Sequence, residues 1–402
     1  MLRDLVQRVE AATPGGRDRA VDALRAIAIA GVVAGHWLVT APVADSGMLR
    51  VTSPLKYMPQ LAPVSWLLQT MAVFFFVGGR VAVESHDRAR ARGEGHGRWA
   101  AARMGRLFRP VVPLVGVWSA AAVAMLAWGA DPGTVYALVK LVWSPMWFLL
   151  VFAALTAATP LAARLHPVWP LAAVALADLV RFGLDGPSTV GGMDWVGGMD
   201  WIGWVGWINV GTGWLVPYCL GALWARGRLD GRLTGWALLL GGAAATAVLV
   251  VQAGYPASMV GVPGAPVSNQ SPPTLAAAAF GLAQCGAALL LSGPLRRVLR
   301  RPAAWAMVAV ANLSAMTIFL WHQTAMIVVT MAALWLAGGP LPGLHTVPAD
   351  PGWVAVRLAW LPAFAAALAV CVAAFRRHET RRRPYGGELR GSRRERRAGC
   401  SA

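Results

Sequence analysis

Asp18-Arg19-Ala20-Val21-Asp22-Ala23-Leu24-Arg25, running into Ala26-Ile27-Ala28-Ile29 and on to Gly35-His36-Trp37, decides how this chain is read. The stretch begins charged, turns apolar at Ala26, and holds one histidine deep inside the apolar run. On a helix, the eleven-residue step from Arg25 to His36 leaves the two only ~20° apart in azimuth and separated by roughly 16 Å of rise. A cation at one membrane edge and an imidazole well inside it, on one face, is costly in lipid. The pairing marks either function or a buried helix contact.

The rest of the 402 residues extend the membrane reading. The chain is 57% hydrophobic and only 13% charged, about half the charged share of an ordinary soluble protein. Long apolar runs recur along its length and predict an all-α integral membrane protein of about ten transmembrane helices. They fall near 22–41, 62–83, 107–129, 141–160, 168–182, 204–225, 235–253, 274–292, 305–336 and 354–375, the ninth long enough to be tilted or broken. With both termini cytoplasmic, 31 of the 36 Lys and Arg fall on the inside and five outside, as the positive-inside rule requires. The expected division is a cytoplasmic segment 1–21, a membrane domain 22–375 and a basic, disordered cytoplasmic tail 376–402. A cleavable signal peptide is the rival for the first span, since Val39-Thr40-Ala41 resembles a cleavage site, but the charged lead-in is long for one. The net charge of +18 clusters between apolar runs, so it speaks for topology and against nucleic acid. The four cysteines show no paired spacing, and neither a disulfide framework nor a metal site is expected.

Several polar features stand out against this background. Arg103, Arg106 and Arg109 step by three ahead of Pro110 and share a broad helix face. They serve either topology and lipid headgroups or an anionic ligand, which guanidinium forks suit. Trp147 follows Ser144-Pro145 in the fourth span, where an interfacial anchor is the plain reading. The ninth span carries Asn312, Ser314, Thr317, Trp321, His322, Gln323 and Thr324, polarity that belongs in a bundle interior. It either lines a substrate path or bonds neighbouring helices. Gly191-Gly192-Met193-Asp194-Trp195-Val196 repeats as Gly197-Gly198-Met199-Asp200-Trp201-Ile202, and the uncharged stretch 254–273 is rich in Pro, Gly and Ser. The latter is expected to be irregular and to cover an outward-facing cavity. Asp178 is an exceptional carboxylate within the spans, with Arg181 three residues on to pair with it. Taken alone, His36 fits packing, acid–base work near neutral pH or transport. The scarcity of membrane carboxylates weighs against transport.

At this point the motifs line up in order. Arg25, ten intervening residues and His36 resemble the Arg-x10-His motif of the membrane-bound acyltransferase-3 family. Asp22 to Ile29 is similar to that family's D-G-L-R-A-x-A opening. Phe74-Phe75-Phe76-Val77-Gly78-Gly79 resembles its FF-x-x-S-G signature, with Gly78 where serine is frequent. Arg103-Met104-Gly105-Arg106 resembles its Arg-x-x-Arg, Trp147-Phe148-Leu149 its WFL, and Phe319-Leu320-Trp321-His322 its YLWH-like run, so that the likeness extends from 17 to about 375. The resemblance implies transfer of an acyl group, often acetyl, from cytoplasmic acyl-CoA to a hydroxyl, commonly on a cell-envelope glycan outside. It implies no permanently bound cofactor, with acyl-CoA as the donor substrate, a carbohydrate or glycolipid as acceptor, and a multi-pass place in the cytoplasmic (plasma) membrane among its lipids. Under it Arg103 and Arg106 meet the CoA phosphates, and Arg25 holds a phosphate or orients the donor. His36 takes the acceptor's proton, Trp147 lines the path, and His322 binds or relays protons. No appended SGNH hydrolase-like domain is expected. The alternative is a carrier that exports a glycan or lipid precursor without acylating it.

Overall fold

The computed structural model describes residues 2–45, 48–183 and 201–379. The Gly-Gly-Met-Asp-Trp repeat lies outside the described residues except for its last two positions. Fourteen principal helices follow one another among the described residues, with a single hairpin between the second and third. They are α1 Leu2–Ala11, α2 Arg19–Val39, α3 Met71–Ala91, α4 His96–Phe108, α5 Val111–Ala127, α6 Pro132–Trp143 and α7 Met146–Ala157. Then come α8 Val168–Phe182, α9 Trp201–Ala225, α10 Arg232–Val251, α11 Leu275–Val298, α12 Pro302–Leu313, α13 Ala315–Ala337 and α14 Pro351–Phe375. Strands β1 Ala41–Asp45 and β2 Met48–Thr52 pair antiparallel, Ala41 opposite Thr52 and Asp45 opposite Met48.

Seven of the helical stretches are long and apolar enough to cross a membrane: α2, α4–α5 together, α6–α7 together, α10, α11, α13 and α14 with its following turn. Short paired helices arise where the sequence places a breaker. Pro110 separates α4 from α5 and Pro145 separates α6 from α7, since proline cannot continue the backbone ladder. The predicted ninth span is divided at Ser314, between α12 and α13. The predicted second span, 62–83, is displaced toward higher numbers. Pro59 and Pro63 sit in short turns, and the regular helix starts at Met71 and runs on through charged residues to Ala91. The basic tail also differs from expectation at its start: Arg376–His378 form a 3-10 turn that brings Glu379 back against the bundle.

α2 begins where its sequence supplies a cap. The Asp18 carboxylate accepts from the Ala20 amide at 3.1 Å, satisfying one of the orphan donors of a helix start. Asp18 also receives Arg80 of α3 at 3.1 Å and Arg296 of α11 at 2.8 Å, so one carboxylate ties three helices. Burial alone would raise its pKa; the two guanidiniums and the Ala20 amide outweigh that and hold it below the usual carboxylate value. The tightest crossing joins α3 and α9. A side chain at Gly79 would run into the Tyr218 carbonyl, and one at Gly221 into the Phe76 carbonyl. Small residues at such points let two backbones approach closely inside a membrane. That approach sets the α3 phenylalanines, Phe75 and Phe76 fully buried, at the centre of the molecule.

Candidate active site

Two cavities enter the bundle from opposite ends, and α2 runs along both. The first, about 390 Å³, is lined by Arg25 of α2, Arg103 and Arg106 of α4, Thr156 of α7, Asn312 of α12 and Glu379. The second, about 360 Å³, is lined by His36 and Thr40, Gln69, Trp147 and Phe148 of α7, and Gln323 of α13. The β2 strand and the 260–271 stretch contribute further lining, so part of the irregular 254–273 segment borders this cavity. Arg25 and His36, roughly 16 Å apart along an ideal helix, thus face different chambers.

A phenylalanine partition separates the chambers. Phe74 and Phe152 line the arginine side, while Phe148 and Phe319 line the histidine side. Their rings meet edge to face, Phe74 to Phe148 with centroids 4.9 Å apart and Phe74 to Phe152 at 5.0 Å, and Phe148 reaches Phe319 at 5.4 Å. Four elements therefore contribute to both chambers: α2, α3, α7 and α13.

The arginine chamber is electropositive and hungry for acceptors. Arg103 stands over Trp99 at 5.7 Å, and its buried Nε has no hydrogen-bond partner among the described residues. Arg106 spends its Nε on the Ala102 carbonyl at 3.2 Å and is otherwise exposed. Among the described residues lining this chamber Glu379 is the sole carboxylate. It accepts from the Met316 and Thr317 amides, both at 3.1 Å, and from Thr317 Oγ1 at 2.8 Å. It caps the start of α13, where the helix macrodipole favours a negative charge. Sequence reading missed Glu379 because it sits in a basic run that carries no helix signal.

His36 is half-buried at the wall of the other chamber. Its ring lies 5.1 Å from that of His322, and its Nδ1 is 3.1 Å from the Gln323 amide nitrogen. His322, fully buried, does not line either cavity; it packs behind His36 with Nδ1 against the Phe319 carbonyl at 2.5 Å. The Trp37 indole donates to the His322 carbonyl at 2.9 Å, tying α2 to α13. Trp147 stands at the wall of the same cavity.

The end of α2 is held by Arg357 of α14. This guanidinium is 0% exposed, yet its hydrogen bonds run to backbone carbonyls: Trp37 at 2.7 Å, Thr40 at 2.8 Å and Gly343 at 2.9 Å. The last turn of a helix leaves carbonyls without partners, and a cation there also matches the macrodipole. Arg357 thereby fixes the turn that carries His36. In the sequence Arg357 shows only as one of the five basic residues on the outside. Farther along the same end, Asp178 gathers Asn209 at 3.1 Å, Tyr255 at 3.0 Å and the Leu275 amide at 2.6 Å, with Arg181 at 3.5 Å. That knot fastens the 254–273 segment to α8, α9 and α11.

In this polytopic membrane protein one helix, α2, joins an arginine chamber to an imidazole chamber. The chain matches the family model described as Acyltransferase domain over residues 18–376. It belongs to that acyltransferase family, and it is a multi-pass membrane acyltransferase. Comparison with curated proteins and with solved structures returned no match.

Proposed function

We propose that the chain is an integral-membrane O-acyltransferase that moves an acyl group, acetyl foremost, from cytoplasmic acyl-CoA to a hydroxyl of a glycan, glycolipid or related acceptor. One observation carries the reading: a single helix presents Arg25 to one chamber and His36 to the other. The arginine-rich end faces the cytoplasm of a plasma-membrane protein, in keeping with the positive-inside rule. There Arg103, Arg106 and Arg25 receive the donor's phosphates, which guanidiniums recognise in bidentate fashion. The acyl-bearing arm of the donor threads the phenylalanine partition and brings its thioester to His36.

The acceptor hydroxyl enters the opposite chamber, where Trp147 offers a flat apolar face. His36 takes the hydroxyl proton as the oxygen attacks the thioester carbonyl. The carbon–sulfur bond breaks, the thiolate takes the proton from the imidazolium, and the products are the acyl ester and free CoA. His36 ends as it began. The protein holds both substrates at a fixed geometry, which converts a bimolecular encounter into an intramolecular one. A carrier would be expected to present a free titratable carboxylate along its path; among the described residues lining the two chambers the one carboxylate, Glu379, is engaged by the Met316 and Thr317 amides at the start of α13.

Membrane vesicles supplied with radiolabelled acetyl-CoA test the reading, comparing wild type with His36→Ala and Arg25→Ala. Labelled glycan or lipid from wild type, lost in both folded variants, is the expected result. Equal labelling in all three contradicts it and leaves His36 as a packing residue.

A further inference from the structure

An imidazole that takes a proton from a fixed direction needs one ring nitrogen bare and the other held. Gln323, 2% exposed, sets its amide against the His36 ring, Nε2 lying 3.1 Å from Nδ1. The two ends of an amide exchange by a half-turn of its terminal torsion and are assigned from the surrounding hydrogen bonds. With the nitrogen facing the ring, Nδ1 must accept and the ring hydrogen sits on Nε2. No lone pair is then left to take a proton. This orientation also leaves Gln323 Oε1 buried with no partner among the described residues, a costly state for an acceptor.

The neighbouring histidine leads to the same answer. His322 Nδ1 lies against the Phe319 carbonyl and must carry the hydrogen there, so its Nε2 is an acceptor, and it too is buried without a partner among the described residues. With the amide turned about, its oxygen gains the ring hydrogen as a partner, and among the described residues His322 Nε2 remains an orphaned acceptor behind the ring. A ring that gains a proton during reaction is what such surroundings stabilise.

We infer that Gln323 is the positioning residue for His36: its amide oxygen accepts the Nδ1–H and so makes Nε2 the base. When Nε2 takes the acceptor's proton, the same oxygen shares the positive charge of the imidazolium, as the orienting group of a catalytic histidine does. The other titratable or charged groups near His36 are His322 on α13 and Arg357 on α14. Among the described residues, α3, α6, α7, the hairpin and the 260–271 stretch bring no charged side chain to its chamber. The inference rests on the acyltransferase reading with His36 as base.

Two substitutions separate acceptor from donor. Gln323→Glu keeps an oxygen toward Nδ1 and loses the amide donor, whereas Gln323→Met removes both. The expected result for Gln323→Met is a kcat lower by about 10- to 100-fold with the acyl-donor KM within about twofold, and Gln323→Glu restores kcat to within about fivefold. If Gln323→Glu melts like wild type and is as slow as Gln323→Met, the amide acts as a donor and the inference is overturned; an unimpaired Gln323→Met overturns it equally. Wild-type protein labelled with 15N-histidine gives a readout that needs no folded variant at this position, His36→Gln supplying the assignment. A hydrogen on His36 Nδ1 is expected, and one on Nε2 overturns the inference. An active His36→Ala would instead sink the catalytic role of His36 itself, while an inactive His36→Ala beside a normal Gln323→Met sinks only the role of Gln323.

Discussion

Replacing Arg357 by methionine should injure both the fold and the reaction, by amounts that follow from its contacts. The side chain is fully buried and satisfies the Trp37, Thr40 and Gly343 carbonyls. Each buried carbonyl left without a partner costs about 1–3 kcal/mol. Thr40 lines the histidine cavity, where water can replace the lost donor, so two carbonyls bear the full penalty. The expected destabilisation is therefore about 2–6 kcal/mol, with the guanidinium's position over the Phe364 ring, 4.7 Å away, adding a smaller loss. His36 precedes Trp37 on the turn thus released, and an ångström of misplacement at a reacting group costs about 100-fold. Detergent-purified Arg357→Met should melt well below wild type and transfer acyl groups about 100-fold more slowly. Arg357→Lys, with donors but no planar fork, should fall between the two. A methionine variant that melts with wild type and turns over within twofold of it would refute the idea that this arginine holds the histidine turn.

Three further outcomes are expected. Gly79→Val drives a side chain into the Tyr218 carbonyl, where backbone cannot move aside; the cost should reach about 3 kcal/mol, read as a lower melting temperature, and unchanged melting would show that α3 and α9 can part freely. Arg103→Ala should raise the KM for the acyl donor about tenfold with kcat nearly kept, because its orphaned Nε awaits an acceptor, and a fall in kcat at unchanged KM would place Arg103 outside donor binding. His345 is buried in the segment between α13 and α14, its Nδ1 accepting from the Leu341 amide at 3.0 Å and its Nε2 donating to the Thr330 carbonyl at 2.8 Å. Burial lowers its pKa, partly offset by the Thr330 carbonyl, with Arg357 adding repulsion. The unfolded chain then binds a proton before the folded one does. The stability His345 lends is complete above the unfolded value of about 6.5 and declines as pH falls from there toward the lower folded value, by up to ~1.4 kcal/mol per pH unit. Melting curves between these limits should flatten in His345→Gln, and parallel slopes for the two proteins would contradict the assignment.

The elements that hydropathy and capping specify were legible in the sequence. α2 starts one residue after the aspartate that caps it, and the Arg25–His36 spacing alone foretold that both would share a face of one helix. Hydropathy could not foretell that Pro59 and Pro63 would spend the start of the second apolar run on short turns, or that charged residues to Ala91 would stay helical. Partners decide burial for polar groups, and partners far apart in sequence are invisible to a window. Arg357 was legible as a charge but not as a clamp, since the carbonyls it satisfies lie over 300 residues away at Trp37 and Thr40. His322 was legible as interior polarity, yet its place behind His36 rather than on a cavity wall depends on how α13 is rotated against α2. Glu379 was hidden in a basic run, and only the return of the chain after α14 gives its carboxylate the open end of α13.

The proposed function divides labour along α2, with Arg25 serving the donor and His36 the chemistry. Titrating CoA into detergent-purified wild type, Arg25→Ala and His36→Ala, alongside their acyl-transfer rates, tests that division most directly. His36→Ala is expected to bind CoA with wild-type affinity and transfer nothing, while Arg25→Ala loses about tenfold or more in CoA affinity, a cost of about 1.4 kcal/mol or more. Weakened CoA binding in His36→Ala, with Arg25→Ala binding as wild type does, would contradict it.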